Sequence, residues 1–177
     1  SSANLSAHPW AGLMVEEVSG QTLGAYLAEH LTGPLGMVDT AFSPTDTMAA
    51  RAASLHARLP DGGLAPMTLP PPEGPEFEMG GGGLQSTVSD YGRFLRMILN
   101  DGALDGTRVL KPETVQLMSS NNMGDLRVSM LESIAPSLSL DAEFFPGVPK
   151  SWGLSFQINE EPAPTGRPAG TLMWAGL

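Results

Sequence analysis

The chain has 177 residues and a formal net charge of −10, from 19 acidic and nine basic side chains. The only lysines are Lys111 and Lys150, so no basic patch exists and the composition argues against binding to nucleic acid or to an anionic membrane surface. Cysteine is absent, which excludes disulfides and thiolate sites, while the 41% hydrophobic content suffices for one domain with a core.

The sequence shows no membrane or export signal. No apolar run reaches the about 18 residues that a membrane helix needs, and the N-terminus lacks a charged-then-apolar leader pattern. We therefore expect a soluble protein without a membrane partner. The compartment stays open, with a leaning towards the cytoplasm.

Helical patterns dominate the first 40 residues. Residues 1–9 are polar and end in a proline, and this pattern predicts either an entry loop or an artificially cut end of the chain. A first helix follows from Trp10 to Val18, where the apolar residues on one face are Trp10, Leu13, Met14 and Val18. Thr22 can cap a second helix, which Gly33-Pro34 ends, and its predicted buried stripe consists of Leu23, Tyr26, Leu27 and Leu31.

Residues 43–79 are ambiguous. Thr47–Leu59 fits either a weak helix or a surface excursion, and Pro60–Gly63 is typical of a hairpin turn. Leu69–Pro72 must be extended because of its prolines.

The stretch Gly80–Gly102 gives the strongest helix signal. Four glycines precede a cap in which Thr87 or Ser89 can accept a hydrogen bond from the first helical turn. Apolar residues at helical spacing predict a buried face of Tyr91, Phe94, Leu95 and Ile98.

The last third of the chain mixes one helix with strands. Asp105-Gly106 predicts a turn, and Lys111-Pro112-Glu113 starts a third helix. After an irregular segment, Trp152–Ile158 alternates like a half-buried strand, with Thr171–Leu177 as its antiparallel neighbour.

Motifs alone define no complete active site. The histidines His8, His30 and His56 are isolated, and neither lysine has a serine three residues before it. The glycine run matches no phosphate-binding motif, and the loop glutamates Glu73, Glu76 and Glu78 are at best candidate site residues. We therefore expect no metal and no cofactor.

Three stretches taken together resemble the serine β-lactamase-related hydrolases, which include class C-type β-lactamases, family VIII-type carboxylesterases and penicillin-binding peptidases. The stretches are Gly12–Gly20 with its continuation Pro34–Phe42 (PLGMVDTAF), then Gly82–Phe94 (GGLQSTVSDYGRF), then Trp152-Gly153-Leu154 with Trp174-Ala175-Gly176. The resemblance implies a β-lactamase/transpeptidase-like α+β fold, with a helical cluster against part of an antiparallel sheet. Residues 1–177 would form a single incomplete domain of this type.

The resemblance implies acyl transfer by a serine through a covalent acyl-enzyme. Two backbone N–H groups hold the oxyanion in such enzymes, and by resemblance the N–H of Leu177 is one of them. Trp174, Ala175 and Gly176 would form the strand that docks the substrate. They replace the Lys-Thr-Gly triplet whose cation suits a β-lactam carboxylate, so the resemblance favours an esterase over a lactamase.

The catalytic serine, lysine and tyrosine of that family have no counterpart in this sequence. Ala3 and Asn4 stand where the tyrosine is expected, and the patterns place Tyr26 and Tyr91 on core-facing helices. We therefore expect a segment of a serine hydrolase that acts on small-molecule esters, less so lactams, and that is inactive alone. The alternative is a non-catalytic homologue that serves as a binding module. In either case a second fragment or a homo-oligomer would complete the sheet.

Overall fold

The structure is a computed structural model that describes residues 7–59, 61–67, 77–133 and 141–173. The chain divides into two compact units, Ser1–Val109 and Leu110–Leu177. Helices and small antiparallel sheets make up a mixed α+β architecture, as the sequence predicts. The prediction of a single incomplete domain over residues 1–177 stays a prediction.

The first unit is mainly helical. Its elements are α1 (Ala7–Ser19), α2 (Leu23–Leu27) continued by a π-helical turn (Ala28–Thr32), α3 (Asp46–Ala49), the strands β1 (Leu55–Arg58) and β2 (Leu64–Met67), α4 (Val88–Leu99), and the strands β3 (Ala103–Leu104) and β4 (Thr107–Arg108). The strands form two antiparallel hairpins, β1–β2 and β3–β4. Buried apolar side chains of this unit are Leu23, Leu35, Met37, Phe42, Met97, Ile98 and Leu104.

Local signals place these elements. Thr22 Oγ1 accepts a hydrogen bond from Ala25 N at 3.2 Å, and Thr87 Oγ1 accepts one from Asp90 N at 3.2 Å, so both predicted threonine caps are confirmed. Asp105 and Gly106 both have positive φ, 48° and 86°, which builds the tight β3–β4 turn.

The α2 N-terminus receives two further acceptors from distant residues. Glu16 Oε1 on α1 accepts from Leu23 N at 2.8 Å, and Glu78 Oε2 accepts from Gly24 N at 2.5 Å. Carboxylates suit this end of a helix because its first N–H groups lack intrahelical partners. Glu78 is therefore a structural capping residue, and this role explains its position without any function in a binding or catalytic site.

The second unit contains α5 (Pro112–Ser119) and a three-stranded antiparallel sheet of β5 (Lys150–Trp152), β6 (Gln157–Asn159) and β7 (Leu172–Met173). The central strand is β6, with Trp152 opposite Gln157 on one side and Gln157 opposite Met173 on the other. Pro112 occupies the first turn of α5, as predicted. Buried apolar side chains of this unit are Val115, Val148, Phe156, Ile158 and Ala163.

Two sequence predictions are corrected. Trp152–Ile158 is not one strand: Gly153 N donates to Phe156 O at 2.8 Å, and this turn separates β5 from β6. A period of two suits both arms of a short hairpin, so alternation alone did not reveal the turn. On α4 the buried face contains Asp90, Met97 and Ile98, whereas Tyr91 and Leu95 are exposed.

Other ambiguities are resolved. The stretch Thr47–Leu59 is neither one helix nor a bare excursion, since α3 ends at Ala49 and β1 begins at Leu55. The predicted turn before Gly63 joins β1 to β2, with Leu59 N donating to Gly63 O at 2.8 Å. Within the described ranges, no helix has both the length and the apolar character that crossing a bilayer requires.

Candidate active site

A buried carboxylate joins two of the family-like phrases in the first unit. Asp90 on α4 is buried, and its Oδ2 accepts from Asp39 N at 2.8 Å and from Thr40 Oγ1 at 2.9 Å. Thr40 Oγ1 also lies 2.8 Å from Ser86 Oγ. The Asp-Thr of the first phrase and the Ser-Thr-x-x-Asp of the second therefore form one hydrogen-bonded cluster.

Backbone contacts extend this cluster. Ala41 and Gln85 form an antiparallel bridge, with N···O distances of 3.0 and 2.9 Å. Arg93 Nε donates to the carbonyl of Leu35, and an added Cβ on Gly36 would lie 3.1 Å from the guanidinium of Arg93. Gly36 also has φ of 65°, so both its backbone conformation and the nearby Arg93 guanidinium favour glycine at this position. These contacts fix the end of the glycine loop next to the segment Leu35–Phe42.

The glycine loop lies close to α1. A Cβ on Gly12 would come 3.2 Å from the backbone of Gly80, so the helix and the loop meet through glycines. Gly83 adopts φ of 86°, which turns the chain into Leu84. Within the part of the chain that the structure describes, no group of three or more His, Asp or Glu could hold a metal beside this loop or elsewhere.

The predicted substrate strand follows β7 in the sequence. β7 pairs antiparallel with β6 up to Met173, which confirms the predicted antiparallel neighbour as far as that residue. The predicted site residues Trp174, Ala175, Gly176 and Leu177 lie outside the described residues, and their roles stay predictions.

The described lysines and tyrosines do not assemble a catalytic group. Lys150 is buried, and its Nζ donates to Phe145 O at 3.2 Å and to Val148 O at 2.7 Å, so it ties a loop to β5. Lys111 is exposed at the start of α5. Tyr26 is half-buried against the ring of His30, whereas Tyr91 is exposed, so its predicted core position is wrong.

A surface ion pair between Arg51 and Asp39 shifts the pKa of the Asp39 carboxyl. Arg51 donates to both carboxylate oxygens of Asp39, at 3.1 and 2.5 Å. The hydrogen bonds from Arg51, with a smaller contribution from its charge, lower the pKa of Asp39 against the opposing effect of partial burial. Asp39 thus binds the cluster through its backbone N–H, and its side chain binds Arg51, which follows α3 in the chain.

The fold and these linked phrases define the class of protein, a mixed α+β chain with a partial β-lactamase/transpeptidase-like fold. The β-lactamase family model ("Beta-lactamase") matches residues 1–176, and the chain belongs to that family. Protein Rv1367c of Mycobacterium tuberculosis is 35% identical over 173 residues, which cover 93% of this chain and 41% of that protein.

Two further relatives have named activities. Lovastatin esterase from Penicillium rubens is 29% identical over 181 residues, covering 94% of this chain and 43% of that protein. Among solved structures, unliganded simvastatin synthase from Aspergillus terreus superposes with a TM-score of 0.72 at 27% identity, over 95% of this chain and 42% of that one. The chain spans about two fifths of the length of these relatives.

Proposed function

We propose that this chain is a segment of a serine hydrolase that cleaves esters through an acyl-enzyme. The observation that carries the proposal is the triplet Trp174-Ala175-Gly176, which by resemblance corresponds to the family's third catalytic motif. An apolar indole there offers no cation for a lactam carboxylate, and it fits a neutral ester. Similarity to lovastatin esterase supports the same substrate class.

In this proposal the chain provides substrate docking and part of the oxyanion hole. Trp174, Ala175 and Gly176 follow β7 directly in the sequence, and their small residues permit close approach of a substrate backbone or acyl group. Leu177 N–H donates to the oxyanion in the tetrahedral intermediate, which is where such a donor lowers the barrier most. The nucleophile and its base come from outside the 177 residues.

A chimera tests this proposal. The aligned segment of lovastatin esterase is replaced by this chain, and hydrolysis of p-nitrophenyl acetate is compared with hydrolysis of nitrocefin. We expect ester hydrolysis and labelling of the serine by a fluorophosphonate, with little nitrocefin turnover. In the matched variant Trp174→Lys/Ala175→Thr, which restores a Lys-Thr-Gly triplet, the ratio should shift towards nitrocefin.

The contrary results are equally informative. A chimera that gives a native-like circular dichroism spectrum but is neither labelled nor active would favour the non-catalytic binding module. A chimera that hydrolyses nitrocefin better than the ester would contradict the assignment of substrate class.

A further inference from the structure

The central strand β6 carries a buried amide at its first residue. Gln157 is only 2% exposed, and it lies opposite Trp152 of β5 and Met173 of β7. Side chains of residues that pair directly across antiparallel strands project from the same face of the sheet. Trp152, Gln157 and Met173 therefore form one row across all three strands, with the polar residue in the middle.

The amide of Gln157 contacts the third strand. Its Nε2 donates a hydrogen bond to Sδ of Met173, at an N···S distance of 3.6 Å. A thioether is a weak acceptor, and an apolar side chain of similar shape can fill a buried place with little or no loss of stability. What the amide adds is direction, because a hydrogen bond depends on its angle whereas apolar contact does not.

The contact lies at the end of a very short strand. β7 consists of Leu172 and Met173 alone, and a single peptide bond joins Met173 to Trp174. A methionine side chain has three rotatable bonds and adapts to its surroundings unless something holds it. The hydrogen bond from Gln157 holds it against the central strand, at the point where the chain continues into the predicted docking triplet.

Asn159 offers an internal comparison on the same strand. It lies two residues after Gln157 and on the same face of the sheet, opposite Lys150, and it is fully buried. Neither atom of its side-chain amide has a hydrogen-bond partner among the described residues. A buried amide on β6 does not by itself connect to β7, so the bond to Met173 depends on the register of Gln157.

We propose that Gln157 is a positioning residue for substrate docking: by holding Met173 it sets the direction in which the chain enters Trp174, Ala175 and Gly176. The inference rests on the ester-hydrolase proposal, in which those three residues dock the substrate. Gln157 itself touches neither the ester nor the nucleophile. Its effect therefore falls on substrate binding and not on the chemical step.

The lovastatin esterase chimera described above carries the test. In the variant Gln157→Leu we expect KM for p-nitrophenyl acetate to rise at least about fivefold, with kcat per active serine within about twofold of the unmodified chimera, because a displaced docking strand weakens binding of the ground state and of the transition state alike. Fluorophosphonate labelling counts the active serines. A variant that merely folds less well would lose labelled enzyme at an unchanged KM.

Asn159→Leu is the matched control, since it makes the same kind of change on the same strand and the same face. Its KM should equal that of the unmodified chimera. Exchange of the bonded pair gives a rescue: Gln157→Met/Met173→Gln reverses the direction of the N–H···S bond and should restore KM, whereas Gln157→Met alone should not.

A second measurement does not depend on activity. NMR relaxation of the 13C-labelled Met173 methyl group in the chimera should show lower order in Gln157→Leu than in Asn159→Leu. An inactive chimera in which this difference persists would contradict the ester-hydrolase proposal alone.

Several results would overturn the inference. These are an unchanged KM in Gln157→Leu, a KM that rises equally in Asn159→Leu, and a Met173 methyl group whose order does not depend on Gln157. An exchanged pair that keeps a native-like circular dichroism spectrum without recovering KM would contradict it as well.

Discussion

Asp90 Oδ2 accepts a hydrogen bond from the backbone N–H of Asp39, at 2.8 Å and across 51 residues of sequence. The same oxygen accepts from the Thr40 hydroxyl, so one buried carboxylate holds two neighbouring donors of a distant segment. These two bonds fix the first turn of α4 in position relative to the segment that contains Asp39 and Thr40. The contact joins the two sequence phrases in the folded chain.

Replacing Asp90 by alanine should lower the free energy of unfolding by about 2–3 kcal/mol, because the Asp39 N–H and the Thr40 hydroxyl lose their shared acceptor in a buried place. Urea unfolding monitored by circular dichroism measures this. Ser86→Ala is the control, since it removes only one of the two bonds of the Thr40 hydroxyl and should cost about 1 kcal/mol. Equal losses in the two variants would contradict the central role of Asp90.

Gly153→Ala should be strongly destabilising. An added Cβ would overlap the carbonyl oxygen of Met118 and lie 3.1 Å from that of Ser120, and both obstacles are backbone atoms that cannot rotate away. We expect a loss of roughly 2 kcal/mol or more in unfolding free energy. Gly92→Ala is the opposite case, because nothing lies within 4 Å of a Cβ there and alanine favours a helix by about 0.5–1 kcal/mol. Thermal unfolding of the two variants should shift in opposite directions.

Arg51→Leu should raise the pKa of Asp39 towards or above its ordinary value of 3.8, because the hydrogen bonds and charge that lower it are removed. The folded-state pKa of Asp39 is lower than in the unfolded chain, so the pair stabilises the fold above the unfolded value. That contribution is lost as the pH falls through the folded value. A carboxyl NMR titration of Asp39 checks the shift. An unchanged pKa in the variant would show that the ion pair does not persist in solution.

The sequence predicted elements where local chemistry decides the outcome. Thr22, Thr87 and the turn Asp105-Gly106 were each identifiable because a cap or a positive φ demands particular residue types. The fold class came from the resemblance, which rests on phrases whose structural basis is now visible in the cluster around Asp90.

Faces were harder to predict than elements. Spacing predicted Tyr91 and Leu95 of α4 as buried, yet both are exposed. The apolar face predicted for the first helix is also exposed at Trp10, Met14 and Val18. Helical periodicity shows that a face is apolar, but it does not show which partner covers it. Asp90 was missed as a buried residue because an acidic side chain in a first helical turn reads as a surface charge. A buried carboxylate of this kind is recognisable only once its donors are known.

The chain by itself should form no acyl-enzyme. Lys150 Nζ is engaged by two carbonyl oxygens, and no serine stands three residues before either lysine in the sequence. An attack on an ester carbonyl requires a serine whose proton is taken by a nearby base, so oxyanion donors alone cannot start the reaction.

Incubation with a fluorophosphonate probe followed by intact-mass measurement should show no adduct, and p-nitrophenyl acetate should be hydrolysed without saturation. Ser151→Ala is the control. Ser151 is fully buried, and its hydroxyl donates a hydrogen bond to the carboxylate of Glu160. An adduct that disappears in this variant would reveal a nucleophile unrelated to the family mechanism.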